Sequence, residues 1–108
     1  MGKYVMVVQS QAQPGRDDDY NDWYDNQHFG DICAIPGVTG GRRLQEAAVM
    51  MGEPGLKYLA LYEIETDDVG AFMAEMGRRG AEGLMPMTDA IDAPASRLWI
   101  YKVDDKYS

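Results

Sequence analysis

At 108 residues the chain has room for one domain around one core, spanning residues 1–108. Its 18 acidic side chains outnumber 10 basic ones for a formal charge of −8, so it offers no basic stripe for a nucleic-acid backbone or an anionic membrane surface. One cysteine and one histidine exclude an intramolecular disulfide and a cysteine-based zinc site, and no metal or other cofactor is expected. No stretch approaches the ~18 apolar residues of a membrane span, and an apolar strand starts almost at once with no basic leader, so a cytoplasmic protein is expected.

In chain order, residues 3–9 (KYVMVVQ) read as a first strand, and Pro14-Gly15 supplies a turn. A helix is predicted over residues 16–34, with Asp17, Asp18 and Asp19 in the first turn, where the helix dipole favours negative charge. Pro36 disfavours helical backbone at Ile35 and ends it. A glycine-rich second strand is predicted over residues 38–47, a hairpin connection over 50–55, and the clearest strand of the chain over 57–65 (KYLALYEIE). A second helix runs from residue 67 or 68 to 79, with Asp68 or Thr66 as its cap. Residues 81–95 read as a loop with one helical turn, and residues 97–103 (RLWIYKV) close as a fourth strand.

Strand, helix, strand, strand, helix, strand is the order of an α+β, ferredoxin-like βαββαβ fold, a four-stranded antiparallel sheet with two helices on one face. A sheet covered on one side alternates apolar with polar residues. Here Tyr58, Ala60, Tyr62 and Ile64 are apolar and so are Leu59 and Leu61 between them, and strand one repeats the pattern. Both faces need burial, which predicts a homodimer with its sheets face to face.

His28, the only histidine, falls in the first helix. At about 100° per residue, Tyr20, Trp23, Tyr24, Gln27, His28, Asp31, Ile32 and Ile35 share its inner half. A titratable ring among aromatics on an inward face has the makings of an acid–base site. The alternative is a core histidine satisfied by one hydrogen bond.

The stretch Tyr20-Asn21-Asp22-Trp23-Tyr24-Asp25-Asn26-Gln27-His28, followed by Ile35-Pro36-Gly37-Val38 and the arginine-bearing Arg42-Arg43-Leu44, resembles EthD-like proteins of the dimeric α/β-barrel superfamily. Relatives commonly have proline two positions after the histidine, where this chain has Gly30. The resemblance implies a homodimeric α/β barrel with a cleft in each subunit between helices and sheet. The superfamily holds cyclases, isomerases, cofactor-free monooxygenases and haem enzymes, so fold alone does not decide the chemistry.

In such a cleft His28 serves as general acid or base, and Tyr24, one turn earlier, as donor to a carbonyl or enolate oxygen. Asp31 is expected to hold a ring nitrogen of His28 and fix its tautomer. Tyr20 and Trp23 are expected as further substrate contacts, or as core aromatics. Arg42 and Arg43 are adjacent on a strand and point to opposite faces, so only one reaches the cleft; Arg42 is named as a candidate substrate contact, with Arg43 as the alternative. Met73, Met85 and Trp99 are expected in a soft apolar wall, with ordinary core packing as the alternative. Cys33 has no histidine placed to activate it. The expected function is cofactor-independent acid–base chemistry of lyase, cyclase or isomerase type on a hydrophobic aromatic or polyketide-like carbonyl compound. A cofactor-free monooxygenase and a non-catalytic, stress-associated binding dimer are the alternatives.

Overall fold

The computed structural model describes residues 2–107. Four strands, β1 (Gly2–Ser10), β2 (Val38–Gln45), β3 (Tyr58–Thr66) and β4 (Arg97–Lys102), form one sheet in the order β2-β3-β1-β4, every neighbour antiparallel. Helical segments α1 (Asp17–Trp23) and α2 (Phe29–Cys33) are joined by a π-helical turn, Tyr24–His28, and α3 is Val69–Ala81. This is the ferredoxin-like arrangement expected from the order of elements. Among the described residues no helix is long and apolar enough to cross a membrane.

The core lies between the helices and one face of the sheet. On that face β3 places Tyr58, Ala60, Tyr62 and Ile64, all buried, against Ser10, Val8, Met6 and Tyr4 of β1. Tyr20, Tyr24, Ile32 and Ile35 of the first helical stretch and Phe72 of α3 close over them. The opposite face carries Val5, Val7, Leu59 and Leu61, with Leu44, Trp99 and Tyr101 exposed beside them. Its centre is apolar, bordered by Lys3, Gln9, Arg42, Glu63, Glu65 and Arg97, and among the described residues no α-helix covers it.

The single helix expected over residues 16–34 is interrupted. The Phe29 N–H bonds the Tyr24 carbonyl, five residues back, which inserts the wider π turn between two α segments. Capping of α3 follows the sequence more simply: the Asp68 carboxylate accepts from the Ala71 N–H at 3.0 Å, and the Asp68 N–H donates to Thr66 Oγ1 at 3.1 Å. The loop after α3 contains a single 3-10 turn, Ala93–Ala95, and is tied back to the start of the chain by Gln13 N–H to Ala90 O at 2.7 Å.

Gly37 makes the turn into β2 at φ +103°, and its carbonyl accepts from Glu65 N–H at 2.8 Å. A Cβ there would stand 3.2 Å from the Glu65 carbonyl oxygen, so the strain adds to the crowding. Gly37→Ala is expected to destabilise the fold by about 1–3 kcal/mol. Urea unfolding checks this, and an unchanged midpoint would contradict it.

Candidate active site

The helical stretch from Asp17 to Cys33, the second half of α3 and the loop between α3 and β4 leave a cleft of about 400 Å³ over the β1–β4 side of the sheet. Its walls are mostly apolar: Val8, Met76, Met85, Met87, Ile91 and Leu98. Gly77 and Gly80 face it from α3, where an added Cβ would meet nothing within 4 Å. Its polar lining comes from Tyr24, His28, Ser10 and Ser96, and no charged side chain lines it. Two other hollows, one bounded by Lys3, Glu63 and Tyr107 and one by Val5, Arg42 and Leu61, contain no histidine.

The π turn puts Tyr24 and His28 on this cleft together. The wider turn aligns positions four apart, so Tyr20, Tyr24, His28 and Ile32 follow one another inward while Gln27 is carried out to solvent. The His28 ring is held between two aromatics, stacked on Trp23 at 4.4 Å and edge-on to Tyr24 at 5.0 Å. Its Nδ1 is buried and has no hydrogen-bond partner, the one such side-chain nitrogen or oxygen among the described residues. Burial holds the imidazole below its ordinary value, with the Asp31 charge opposing weakly.

The depressed histidine has a consequence for stability. The unfolded chain takes up a proton near 6.5 while the folded ring resists it, so stability is complete above that pH and falls as pH drops below it. His28→Gln is expected to flatten this part of the profile. Unfolding midpoints of both proteins at several pH values between about 7.5 and 5.5 test it; parallel profiles would contradict it.

Tyr24 is buried in the floor of the site, its hydroxyl 2.8 Å from that of Tyr62 on β3. Burial is the main cause that pushes the Tyr24 phenol up to about 12. The Arg43 guanidinium lies 4.2 Å over the Tyr24 ring, donates to Asp25 at 2.7 Å and to Asn21 Oδ1 at 3.0 Å, and so staples β2 to the π turn.

The other expected site residues divide between the cleft and elsewhere. Met85 lines the cleft. Trp23 supports His28 from behind, and its Nε1 donates to the Pro86 carbonyl at 2.9 Å, fixing the loop that forms one wall. Tyr20 is fully buried, stacks on Tyr58 at 4.7 Å and shares its hydrogen bond with Ser10, so it supports the floor without lining the cavity.

Four expectations are corrected. Asp31 does not hold His28: with Gln27 displaced outward, it accepts that amide at 2.8 Å instead. Arg42 is not the inward arginine, because a bulge between Val38 and Gly40 shifts the alternation of β2 by one residue and turns Arg43 to the helices. Trp99 pairs with Val7 and stands on the bare face of the sheet. Met73 is 57% exposed on the outside of α3.

Tyr62 is not among the expected site residues, and Arg43 is there only as the alternative to Arg42. Tyr62 shares the inward alternation of β3 with Tyr58 and Ile64, a signal that marked it for the core and not for the site. Among the described residues no group of three or more His, Cys, Asp or Glu side chains is placed to hold a metal ion.

A four-stranded antiparallel sheet with its helices on one face and a cleft between them is the fold of EthD-like proteins, and this chain has it. An EthD-like protein from Ralstonia eutropha JMP134 superposes with a TM-score of 0.62 at 21% identity, over 100% of this chain and 99% of that one. An EthD family protein from Bacillus halodurans C-125 gives 0.60 at 16% identity, over 96% of this chain and 100% of that one. HapK from Hahella chejuensis gives 0.56 at 15%, over 97% and 92%. No family model matches the sequence, and no curated protein matches it either.

Proposed function

We propose that the protein is a small, cofactor-independent acid–base enzyme, of lyase, cyclase or isomerase type, acting on an uncharged hydrophobic carbonyl compound. The observation that carries this reading is the unpartnered imidazole of His28, held below its ordinary pKa by burial, on an apolar cleft that Tyr24 also lines. A neutral imidazole there accepts a proton from the carbon next to a carbonyl group. The Tyr24 hydroxyl donates to the carbonyl oxygen as negative charge develops on it, and the imidazolium then returns the proton to the product. Low polarity strengthens the hydrogen bond to the oxygen. Met76, Met85 and Met87 adapt to the body of the substrate, and Gly77 and Gly80 leave room for it.

The functional unit in this reading is a homodimer. The bare sheet face, with Val5, Val7, Leu59, Leu61, Leu44 and Trp99, supports a second copy packed against it, sheet to sheet.

One observation favours a second reading, a dimer that binds a small apolar molecule without transforming it. Asp31 pairs with Gln27, so no carboxylate orients the imidazole. Deuterium uptake at the α-carbon of propiophenone in D2O, followed by NMR, separates the two. Exchange above the buffer rate that is lost in His28→Gln supports the enzyme; saturable binding without exchange supports the binding protein.

A further inference from the structure

A π turn is rare inside a helix and persists where neighbouring structure holds it. Among the described residues, two side-chain hydrogen bonds tie Tyr24–His28 to the sheet: the Tyr24 hydroxyl with that of Tyr62 at 2.8 Å, and Arg43 Nη1 to the Asp25 carboxylate at 2.7 Å. Arg43 also reaches back into α1, where its Nη2 donates to Asn21 Oδ1 at 3.0 Å. The Asn21 amide is held from its other side as well, donating to the Tyr58 hydroxyl of β3 at 3.2 Å. One guanidinium therefore grips the helical stretch on both sides of the point where α1 gives way to the π turn, and it lies 4.2 Å over the Tyr24 ring.

Stability does not explain this grip. The Asp25 side chain is 62% exposed against 17% for Arg43, and an ion pair with so open a carboxylate contributes little. A planar fork shared between two acceptors fixes direction instead. Arg43 does not line the cleft, whereas Tyr24 and His28 do, so its hold on the site runs through the turn.

We propose that Arg43 is a positioning residue: by gripping Asn21 and Asp25 it holds the π turn that brings Tyr24 and His28 together on the cleft. Its effect on rate rests on the acid–base reading given above. Its effect on the surroundings of His28 does not.

Arg43→Met and Asp25→Ala release the grip from its two ends. Lys57→Met is the control, because Lys57 donates to Asp17 at 3.0 Å and so ties α1 down about two turns before Tyr24. Three quantities are read in each protein: the titration midpoint of the His28 imidazole by NMR, hydrogen exchange of the Phe29 amide that bonds the Tyr24 carbonyl, and α-carbon exchange of propiophenone. Both grip variants are expected to admit water to the imidazole and raise its midpoint toward the ordinary histidine value. They are also expected to speed Phe29 exchange about tenfold or more and to slow propiophenone exchange about tenfold or more. Lys57→Met is expected to leave all three unchanged.

Charge alone would move the two variants apart, since losing a nearby cation raises an imidazole midpoint and losing a nearby anion lowers it. Midpoints that move in opposite directions, or that stay in place in both variants, would overturn the role of Arg43. An equal response to Lys57→Met would overturn it too. Asp25 is exposed, so Asp25→Ala carries the test even where Arg43→Met does not fold. Absence of α-carbon exchange in the unaltered protein overturns the enzyme reading and leaves the His28 and Phe29 readouts to decide the role of Arg43.

Discussion

His28→Ala is expected to lower α-proton exchange by about 10²–10⁴-fold, the usual contribution of a positioned general acid–base, while the chain stays folded. The loss of stability is expected to be small. The ring has no hydrogen bond to lose, and its burial already disfavours the charged form, so what disappears is packing against Trp23 and Tyr24. Paired measurement of exchange rate and circular dichroism tests this. A variant that remains folded and retains the rate would remove His28 from the chemistry and leave the cleft as a binding site.

Leu61→Lys is expected to split the proposed homodimer. Leu61 sits between Val7 of β1 and Arg42 of β2 on the bare face of the sheet. In a sheet-to-sheet dimer a lysine there brings an unpaired charge into an apolar interface from both subunits, costing several kcal/mol, or about 10³-fold in the dissociation constant. In a single chain the same side chain extends into water, so folding is spared. Sedimentation equilibrium reads the outcome directly. An unaltered mass, monomer or dimer, in both proteins would contradict the proposed interface.

Most of the fold was legible because strand patterning is local. The third strand, expected over residues 57–65, is Tyr58–Thr66, and the first, expected over 3–9, is Gly2–Ser10. The second helix, expected to end at 79, runs to Ala81, its start marked by Asp68. The two-sided apolarity of β3 and β1 was also readable, and the structure accounts for it with one face under the helices and one bare.

The candidate site was less legible, for two identifiable reasons. A projection at about 100° per residue assumes an uninterrupted α-helix, and the π turn at Tyr24–His28 replaces it where the site is built. The turn is held by contacts from β2 and the loop, through Arg43 on Asp25 and Trp23 on Pro86, which no local periodicity encodes. Similarly, alternation counted from the inward Val38 points to Arg42, and the bulge between Val38 and Gly40 turns Arg43 to the helices instead, where it meets Asp25 and Asn21 without lining the cleft. Trp99 failed for a different reason: β4 is apolar on both faces, so its pattern does not say which side faces the cleft.

The measurement that tests the central claim most directly is an NMR titration of the His28 imidazole carbon-bound protons, with and without propiophenone. The chain has one histidine, so the resonances need no assignment. The expected result is a midpoint below the ordinary histidine value and a shift of both resonances when the ketone binds. A midpoint at the solvent value that ignores the ketone would place the ring outside a working cleft and contradict the account.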